Sequence, residues 1–127
     1  MLQRYTTTYG GTTVANKPEA NEQIKVAKFL EMIGALYTCS IAGAYLSVGQ
    51  LTQVKRMGYT KGTPDIMVFQ PGSPYVHGLL IEMKSDTGTA SPEQKAWGKK
   101  AEENGYRYVV CHGAEEAISV IRNYMGV

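Results

Sequence analysis

The sequence predicts a single α/β domain in which helices cover a mixed β-sheet. Three observations support this class. The chain has 127 residues, which suits one domain with one hydrophobic core. Segments with apolar residues at helical spacing alternate with short β-branched and aromatic segments. Two of these short segments follow one another without a helix between them, so an antiparallel hairpin is expected beside strands that are connected through helices.

The first half of the chain carries fewer structural signals than the second half. Residues 1–16 are rich in Thr, Tyr and Gly and have no helical period, so we predict a flexible N-terminal arm before a single domain that spans 17–127. The next predicted elements are a helix from Pro18 to Gly34, a strand from Leu36 to Ile41 and a short helix from Ser47 to Met57 that ends at Gly58.

Proline, glycine and capping residues divide the second half more sharply. Pro64 precedes one apolar segment, and a turn-forming run from Gln70 to Gly78 separates it from another. We predict strands at Asp65–Phe69 and Leu79–Lys84, a helix opened by Ser91-Pro92-Glu93-Gln94 and closed by Gly105, a strand at Tyr106–Cys111, and a helix from Ala114 to Met125.

Composition excludes several classes of protein. With 43% hydrophobic and 19% charged residues, the chain is globular rather than disordered or fibrous. A formal charge of +2 lacks the strong basic excess of a DNA-coating protein. Its two cysteines, Cys39 and Cys111, form neither a disulfide framework nor a paired zinc motif. No apolar stretch approaches the roughly 20 residues of a membrane span, so a cytoplasmic protein without membrane contact is expected.

The predicted hairpin contains charged residues where a buried strand should be apolar. Because side chains alternate along a strand, Glu82 and Lys84 share one face while Ile81 and Met83 share the other. Asp65 begins the neighbouring strand, and hairpin pairing can bring its carboxylate close to Glu82. Burying such charges is costly unless they pair or bind a metal ion.

Two carboxylates at close range are hard oxygen ligands of the kind that Mg²⁺ or Mn²⁺ prefers. Such an ion would polarise a phosphate and make a bound water more acidic. Lys84 could orient that water or stabilise charge developing on the phosphate. A Glu-x-Lys triplet also occurs often by chance, but the glycine-permissive segment from Lys61 to Asp65 places the carboxylate at the start of a strand, where active residues often lie.

Four motifs together carry a family resemblance. They are Lys61-Gly-Thr-Pro-Asp65, Leu80-Ile-Glu-Met-Lys84, Ser91-Pro-Glu-Gln-Lys-Ala-Trp97 and Gly105-Tyr-Arg-Tyr-Val-Val110. In order and spacing they resemble the VRR-NUC family of the PD-(D/E)xK nuclease superfamily, from about Glu19 to the C-terminus. The resemblance implies a restriction-endonuclease-like fold and a deoxyribonuclease that uses Mg²⁺ or Mn²⁺ and leaves a 5′-phosphate and a 3′-hydroxyl.

The resemblance also implies roles for individual residues. Asp65 and Glu82 would bind the metal directly together with the Met83 backbone carbonyl, and Lys84 would be the catalytic lysine. An acidic residue on the first helix would assist, often through water. We assign Glu22, with Glu19 as the alternative one turn earlier; both could equally be solvated charges on the helix surface.

Gln94 matches a glutamine that supports catalysis in the family. Its position three residues after Ser91 equally suits a capping box, in which the glutamine serves only the helix end. Both interpretations remain open from the sequence.

Other side chains are assigned with structural alternatives beside them. Lys61, Lys95 and Lys99 could track a DNA backbone, although lysines on a helix are usually solvated charges. Strand tyrosines, including Tyr106 and Tyr108, could stack on bases but are more simply core residues. Trp97 is interpreted as core or dimer interface.

Short stand-alone members that the chain resembles are virus- and phage-type enzymes that act as dimers on branched DNA, so a homodimer that resolves four-way (Holliday) junctions is the leading hypothesis. Two symmetric incisions from a chain with one site also favour a two-fold dimer. The alternatives are a flap or nicking nuclease and a catalytically silent DNA-binding module. The complete Asp, Glu and Lys set argues against the silent module.

Overall fold

The structure is a computed structural model that describes residues 6–9, 12–15, 18–41, 46–74 and 76–127. In chain order its elements are β1 (Thr6–Tyr9), β2 (Thr12–Ala15), α1 (Pro18–Met32), β3 (Tyr37–Cys39), α2 (Val48–Arg56), β4 (Ile66–Val68), β5 (Leu79–Lys84), α3 (Pro92–Glu103), β6 (Arg107–His112) and α4 (Ala114–Met125).

A four-stranded sheet in the order β3-β4-β5-β6 forms the centre of the domain. Strand β4 is antiparallel to both β3 and β5, whereas β5 and β6 are parallel. A parallel pair needs a crossover connection, and α3 supplies it. The predicted mixed sheet, its hairpin and the α/β class are therefore confirmed.

One face of this sheet, the core face, packs against α1 and α4. Alternation along β5 directs Leu79, Ile81 and Met83 to this face, and each is at most 2% exposed. The core face and its two helices share one cluster of buried side chains that also includes Val26, Leu30, Ile66, Val68, Cys111, Ala117 and Ile121.

The opposite face, the α3 face, carries Leu80, Glu82 and Lys84 of β5. Helix α3 covers it over β6, where Gly98 lies directly on Tyr108. A Cβ atom at Gly98 would fall 2.4 Å from Cδ1 of Tyr108, so only glycine allows this close approach.

Most predicted boundaries differ from the observed ones by one or two residues. Helix α1 ends at Met32 because Gly34 takes a left-handed conformation with φ 72° and the Ala35 N–H donates to the Leu30 carbonyl at 3.0 Å. The predicted bounds of β5 and α4 match the structure.

The predicted N-terminal arm contains a hairpin that the sequence analysis did not foresee. Strands β1 and β2 pair antiparallel in a separate two-stranded sheet. The sequence between them is Gly10-Gly11, a pair typical of two-residue hairpin connections. This pair is the sequence feature that could have predicted the hairpin. The other parts of the predicted arm, at 1–5, 10–11 and 16, lie outside the described residues, and its flexibility stays a prediction.

Helix α2 is capped at its start but contributes no residue to the core. Ser47 and Gln50 form a complete capping box, yet none of the residues from Val48 to Arg56 is buried. Val48 remains 85% exposed. Within the described ranges, no helix is both long enough and apolar enough to cross a membrane.

Candidate active site

Pairing of β4 with β5 brings Asp65 and Glu82 together. Ile66 lies opposite Ile81, and continuing this antiparallel register by one step places Asp65 opposite Glu82 on the α3 face. The Met83 N–H donates a hydrogen bond of 2.7 Å to Oδ2 of Asp65. This bond fixes the Asp65 carboxylate against β5, as the hairpin prediction required.

The loop before Asp65 is held by the start of α3. Gly62 has φ 92°, and a Cβ atom there would lie 2.6 Å from the Glu93 carbonyl oxygen. Lys61 also reaches Glu93, with 3.4 Å between Nζ and Oε1. The loop therefore needs glycine both for its backbone conformation and for its contact with α3.

Glu82 is a buried carboxyl group in an acidic environment. Its residue is 2% exposed, and its Oε1 has no hydrogen-bond partner among the residues that the structure describes. Burial, a hydrogen bond shared with Asp65 and the charge of Asp65 together raise the pKa of Glu82 to about 9. Without a cation at this position, the folded protein therefore favours the protonated form.

Lys84 is the nearest cation to this acidic pair on the same strand. Its Nζ lies 3.9 Å from Oε2 of Glu82, and the ammonium lowers the pKa of Glu82, although by less than burial raises it. The three residues that the sequence placed at the catalytic centre, Asp65, Glu82 and Lys84, therefore lie together on the α3 face.

Glu19 and Glu22, the two acids of α1 that the sequence named, make different contacts in the structure. Glu22 accepts a 3.1 Å hydrogen bond from the Ala114 N–H and lies 2.7 Å from Nζ of Lys25; the lysine bond and the Ala114 N–H lower its pKa. Glu22 thus caps α4, whose own N-cap, Gly113, has no side chain. Glu19 is the α1 acid whose charge raises the pKa of Glu82. The charge that reaches Glu82 from α1 is therefore that of Glu19, whereas metal binding by Glu22 or Glu19 stays a prediction.

Gln94 performs the capping role that the sequence left open. Its Oε1 accepts from the Ser91 N–H at 2.8 Å, and its own N–H donates to the Ser91 hydroxyl at 3.2 Å. A catalytic role for Gln94 stays a prediction.

The positions of the assigned lysines and of Met83 allow both a structural role and a role in binding DNA or metal. Lys95 and Lys99 are exposed on α3, one helical turn apart. The side chain of Met83 is buried in the core cluster. DNA contacts by Lys61, Lys95 and Lys99, and metal binding by the Met83 carbonyl, stay predictions.

Two tyrosines near the acidic pair were not assigned to the site from the sequence. Burial and the charges of Glu82 and Asp65 raise the pKa of Tyr108 to about 12, and burial with the same two charges raises the pKa of Tyr59. Tyr108 was interpreted as a core residue. Its proximity depends on the parallel register of β5 and β6, which places Tyr108 opposite Leu80 and which a single sequence does not specify.

A groove of about 440 Å³ lies along the α3 face, and neither Asp65 nor Glu82 is among its lining residues. Leu80 lines it and lies two residues before Glu82 on β5. Trp97 lies at its wall, with Nε1 donating to the Thr60 hydroxyl at 3.0 Å. The other lining residues are Met67, Phe69, Lys100, Ala101, Asn104 and Tyr106. Trp97 is therefore half-buried at the groove instead of lying in the core, and its role in a dimer interface stays a prediction.

The arrangement suits a hard divalent cation. No cluster of three or more His, Cys, Asp or Glu side chains forms a metal site within the described part of the chain. Mg²⁺ needs no such cluster, because it binds through one or two carboxylates and keeps several waters. The partnerless Oε1 of Glu82 and the adjacent Asp65 are ligands of this kind.

Comparisons with known proteins agree with the fold and the motifs. A solved structure described as a VRR_NUC domain protein is 28% identical, with a TM-score of 0.69 over 85% of this chain and 88% of that chain. A second, described as a VRR_NUC domain, is 19% identical, with a TM-score of 0.59 over 86% of this chain and 99% of that chain, and supports the fold alone. Among curated proteins, no relative matches significantly. The family model of the VRR-NUC domain matches residues 9–115, and the chain therefore belongs to this family of nuclease-type domains.

Proposed function

We propose that this protein is a metal-dependent, structure-specific DNA endonuclease that hydrolyses phosphodiester bonds and resolves four-way junctions as a homodimer. The observation that carries the proposal is the acidic pair. Asp65 and Glu82 lie side by side, Glu82 is buried with a partnerless oxygen, and Lys84 is 3.9 Å away. Burying Glu82 beside a second, half-buried acid opposes folding, so the arrangement is better explained by function than by stability.

Asp65 and Glu82 would hold Mg²⁺ or Mn²⁺, with Glu19 as the additional acid from α1 and the Met83 carbonyl as a further ligand. The bound ion would polarise the scissile phosphate and lower the pKa of a coordinated water. The Met83 N–H keeps Asp65 aligned with β5, so both carboxylates would meet the substrate on the α3 face.

Lys84 supplies the positive charge beside the pair. Its ammonium can donate hydrogen bonds to the attacking water or to a non-bridging phosphate oxygen, and it would stabilise the negative charge that develops there. Gln94 retains its Nε2 amide for a contact while its Oε1 caps α3. Lys61, Lys95 and Lys99 would bind the phosphate backbone on either side.

The experiment that tests this function is a cleavage panel. Purified protein with Mg²⁺ or Mn²⁺ is incubated with labelled four-way junction, 5′-flap, nicked duplex, linear duplex and single-stranded DNA. We expect symmetric cuts in the junction. Cuts confined to flaps or nicks would replace junction resolution by the alternative substrate, and DNA binding without any cut would leave a silent binding module.

Single-residue variants, assayed on the same DNA substrates, test whether Asp65, Glu82 and Lys84 form the catalytic centre. Asp65→Ala and Glu82→Ala should abolish cleavage, and Lys84→Ala should reduce it by at least about 10³-fold, which corresponds to roughly 4 kcal/mol in the barrier. Lys25→Ala is the control, since Lys25 pairs with Glu22 away from the acidic pair. An unchanged cutting rate in either carboxylate variant would remove the proposed mechanism.

The proposed homodimer is tested separately by measuring the molar mass in solution. Light scattering at the concentrations used for cleavage should report twice the mass of 13.9 kDa. A monomeric mass under cleaving conditions would contradict the two-fold arrangement but not the chemistry.

A further inference from the structure

Two buried polar side-chain atoms lack a hydrogen-bond partner within the described part of the chain. They are Oε1 of Glu82 and the hydroxyl oxygen of Tyr108. Buried polar groups of this kind are normally satisfied, if not by protein then by an ordered water. Their shared lack of a partner suggests a shared ligand.

The two side chains belong to one face of one strand pair. In the parallel register, Leu80 lies opposite Tyr108 and Glu82 lies opposite Val110. Tyr108 and Glu82 therefore both project to the α3 face, on adjacent strands and two residues apart in register. This register places Tyr108 close to Glu82, and the charges of Glu82 and Asp65 accordingly raise the pKa of the Tyr108 hydroxyl.

The position of the Tyr108 ring is fixed by its surroundings. Gly98 of α3 lies against Cδ1 and Cε1, where any larger residue would collide. The ring therefore cannot swing away toward α3, and its hydroxyl stays beside the pair. A phenol at this position remains protonated at neutral pH and acts as a donor toward acids.

We propose that Tyr108 is a positioning residue, whose hydroxyl donates a hydrogen bond to a water that in turn donates to Oε1 of Glu82. This water would satisfy both buried atoms. It would hold the Glu82 carboxylate in one orientation for the hydrated divalent ion. The inference rests on the proposed function, because it assigns Tyr108 to the support of that same metal site.

The test is Tyr108→Phe, which removes only the hydroxyl and keeps the ring against Gly98. Mn²⁺ binding to the DNA-free protein is measured by calorimetry, and kcat and KM are measured on the preferred DNA. We expect the Mn²⁺ dissociation constant to rise roughly tenfold, as for other groups that orient metal ligands, and kcat to fall by a similar factor while KM stays unchanged. Tyr106→Phe is the matched control, because Tyr106 precedes Tyr108 by two residues and lines the groove on the same face, but its hydroxyl is not one of the two buried atoms without a partner.

The outcomes separate this inference from the proposed function. If the wild type binds Mn²⁺ and cuts DNA but Tyr108→Phe matches it in Mn²⁺ affinity and kcat, the positioning role is wrong and the nuclease remains. If the wild type neither binds Mn²⁺ nor cuts, the proposed function fails first. Equal losses in Tyr106→Phe and Tyr108→Phe would also overturn the inference, since the effect would then not depend on the hydroxyl beside Glu82.

Discussion

The core face and the α3 face of the sheet use the same strands for opposite purposes. On β5, Ile81 and Met83 are buried among aliphatic side chains of α1 and α4, and they gain free energy from leaving water. Glu82, the residue between them, is equally buried but loses free energy because it is a carboxyl group beside another one. One strand therefore stabilises the fold on one side and carries a buried acid that opposes folding on the other.

The largest change in unfolding free energy is predicted on the core face. Ile81→Ala removes a fully buried side chain from the core face and should lower the free energy of unfolding by about 2–5 kcal/mol. Leu80, at the next residue, is also buried at 4% exposure but lines the groove, so the space left by Leu80→Ala would join the groove instead of forming an enclosed cavity and the loss should be smaller. Urea denaturation of both variants measures the contrast. Equal losses would mean that the two faces do not differ as described.

The second prediction tests the cost of the acidic pair. Since the folded-state pKa of Glu82 is about 9, above its ordinary value of 4.5, the contribution of Glu82 to the stability of the metal-free protein is fully present below pH 4.5 and is lost as the pH rises toward 9. Glu82→Gln cannot ionise, so it should be more stable than the wild type by about 1–3 kcal/mol at pH 8, with a smaller difference at pH 5.

Chemical denaturation in the presence of a chelator, at both pH values, measures this difference. Groups other than Glu82 titrate in both proteins, so the comparison cancels them. A difference that is the same at pH 5 and pH 8 would show that Glu82 ionises in the folded protein as it does in the unfolded chain. Addition of Mn²⁺ should stabilise the wild type more than Glu82→Gln.

The smallest predicted change in stability distinguishes the roles of Glu22 and Glu19 on α1. Glu22→Gln weakens the cap on α4 and should lower the free energy of unfolding by about 0.5–1 kcal/mol while cleavage stays near the wild-type rate. Glu19→Gln should leave stability almost unchanged but slow cleavage, because Glu19 acts on Glu82. Thermal unfolding and cleavage rates of the two variants, measured side by side, decide between them. Reversed effects would restore Glu22 as the acid of the site.

Local patterns predicted the elements that carry the acidic pair. Alternation along Leu79–Lys84 determined the face of Glu82, and the turn run before it predicted the hairpin. Hairpin pairing then placed Asp65 beside Glu82 without further information. Family resemblance added the VRR-NUC assignment, which the family model confirms.

Tertiary contacts account for what the sequence could not predict. The partner of Glu22 is the Ala114 N–H, 92 residues away in sequence, and no helical period indicates that contact. The position of Tyr108 near the acids depends on the register between β5 and β6. Gln94 matched two patterns, and only its contact with Ser91 shows that it caps α3.

Helix α2 should unfold locally more often than the central sheet. It buries no residue, so its capping box and internal hydrogen bonds must hold it without help from the core. Its amide protons should therefore exchange with solvent through local unfolding, well before those of β5. Because Tyr59 follows α2 directly, such openings would free Tyr59 to move, while the contact of Gly62 with α3 and the bond from the Met83 N–H keep Asp65 in place.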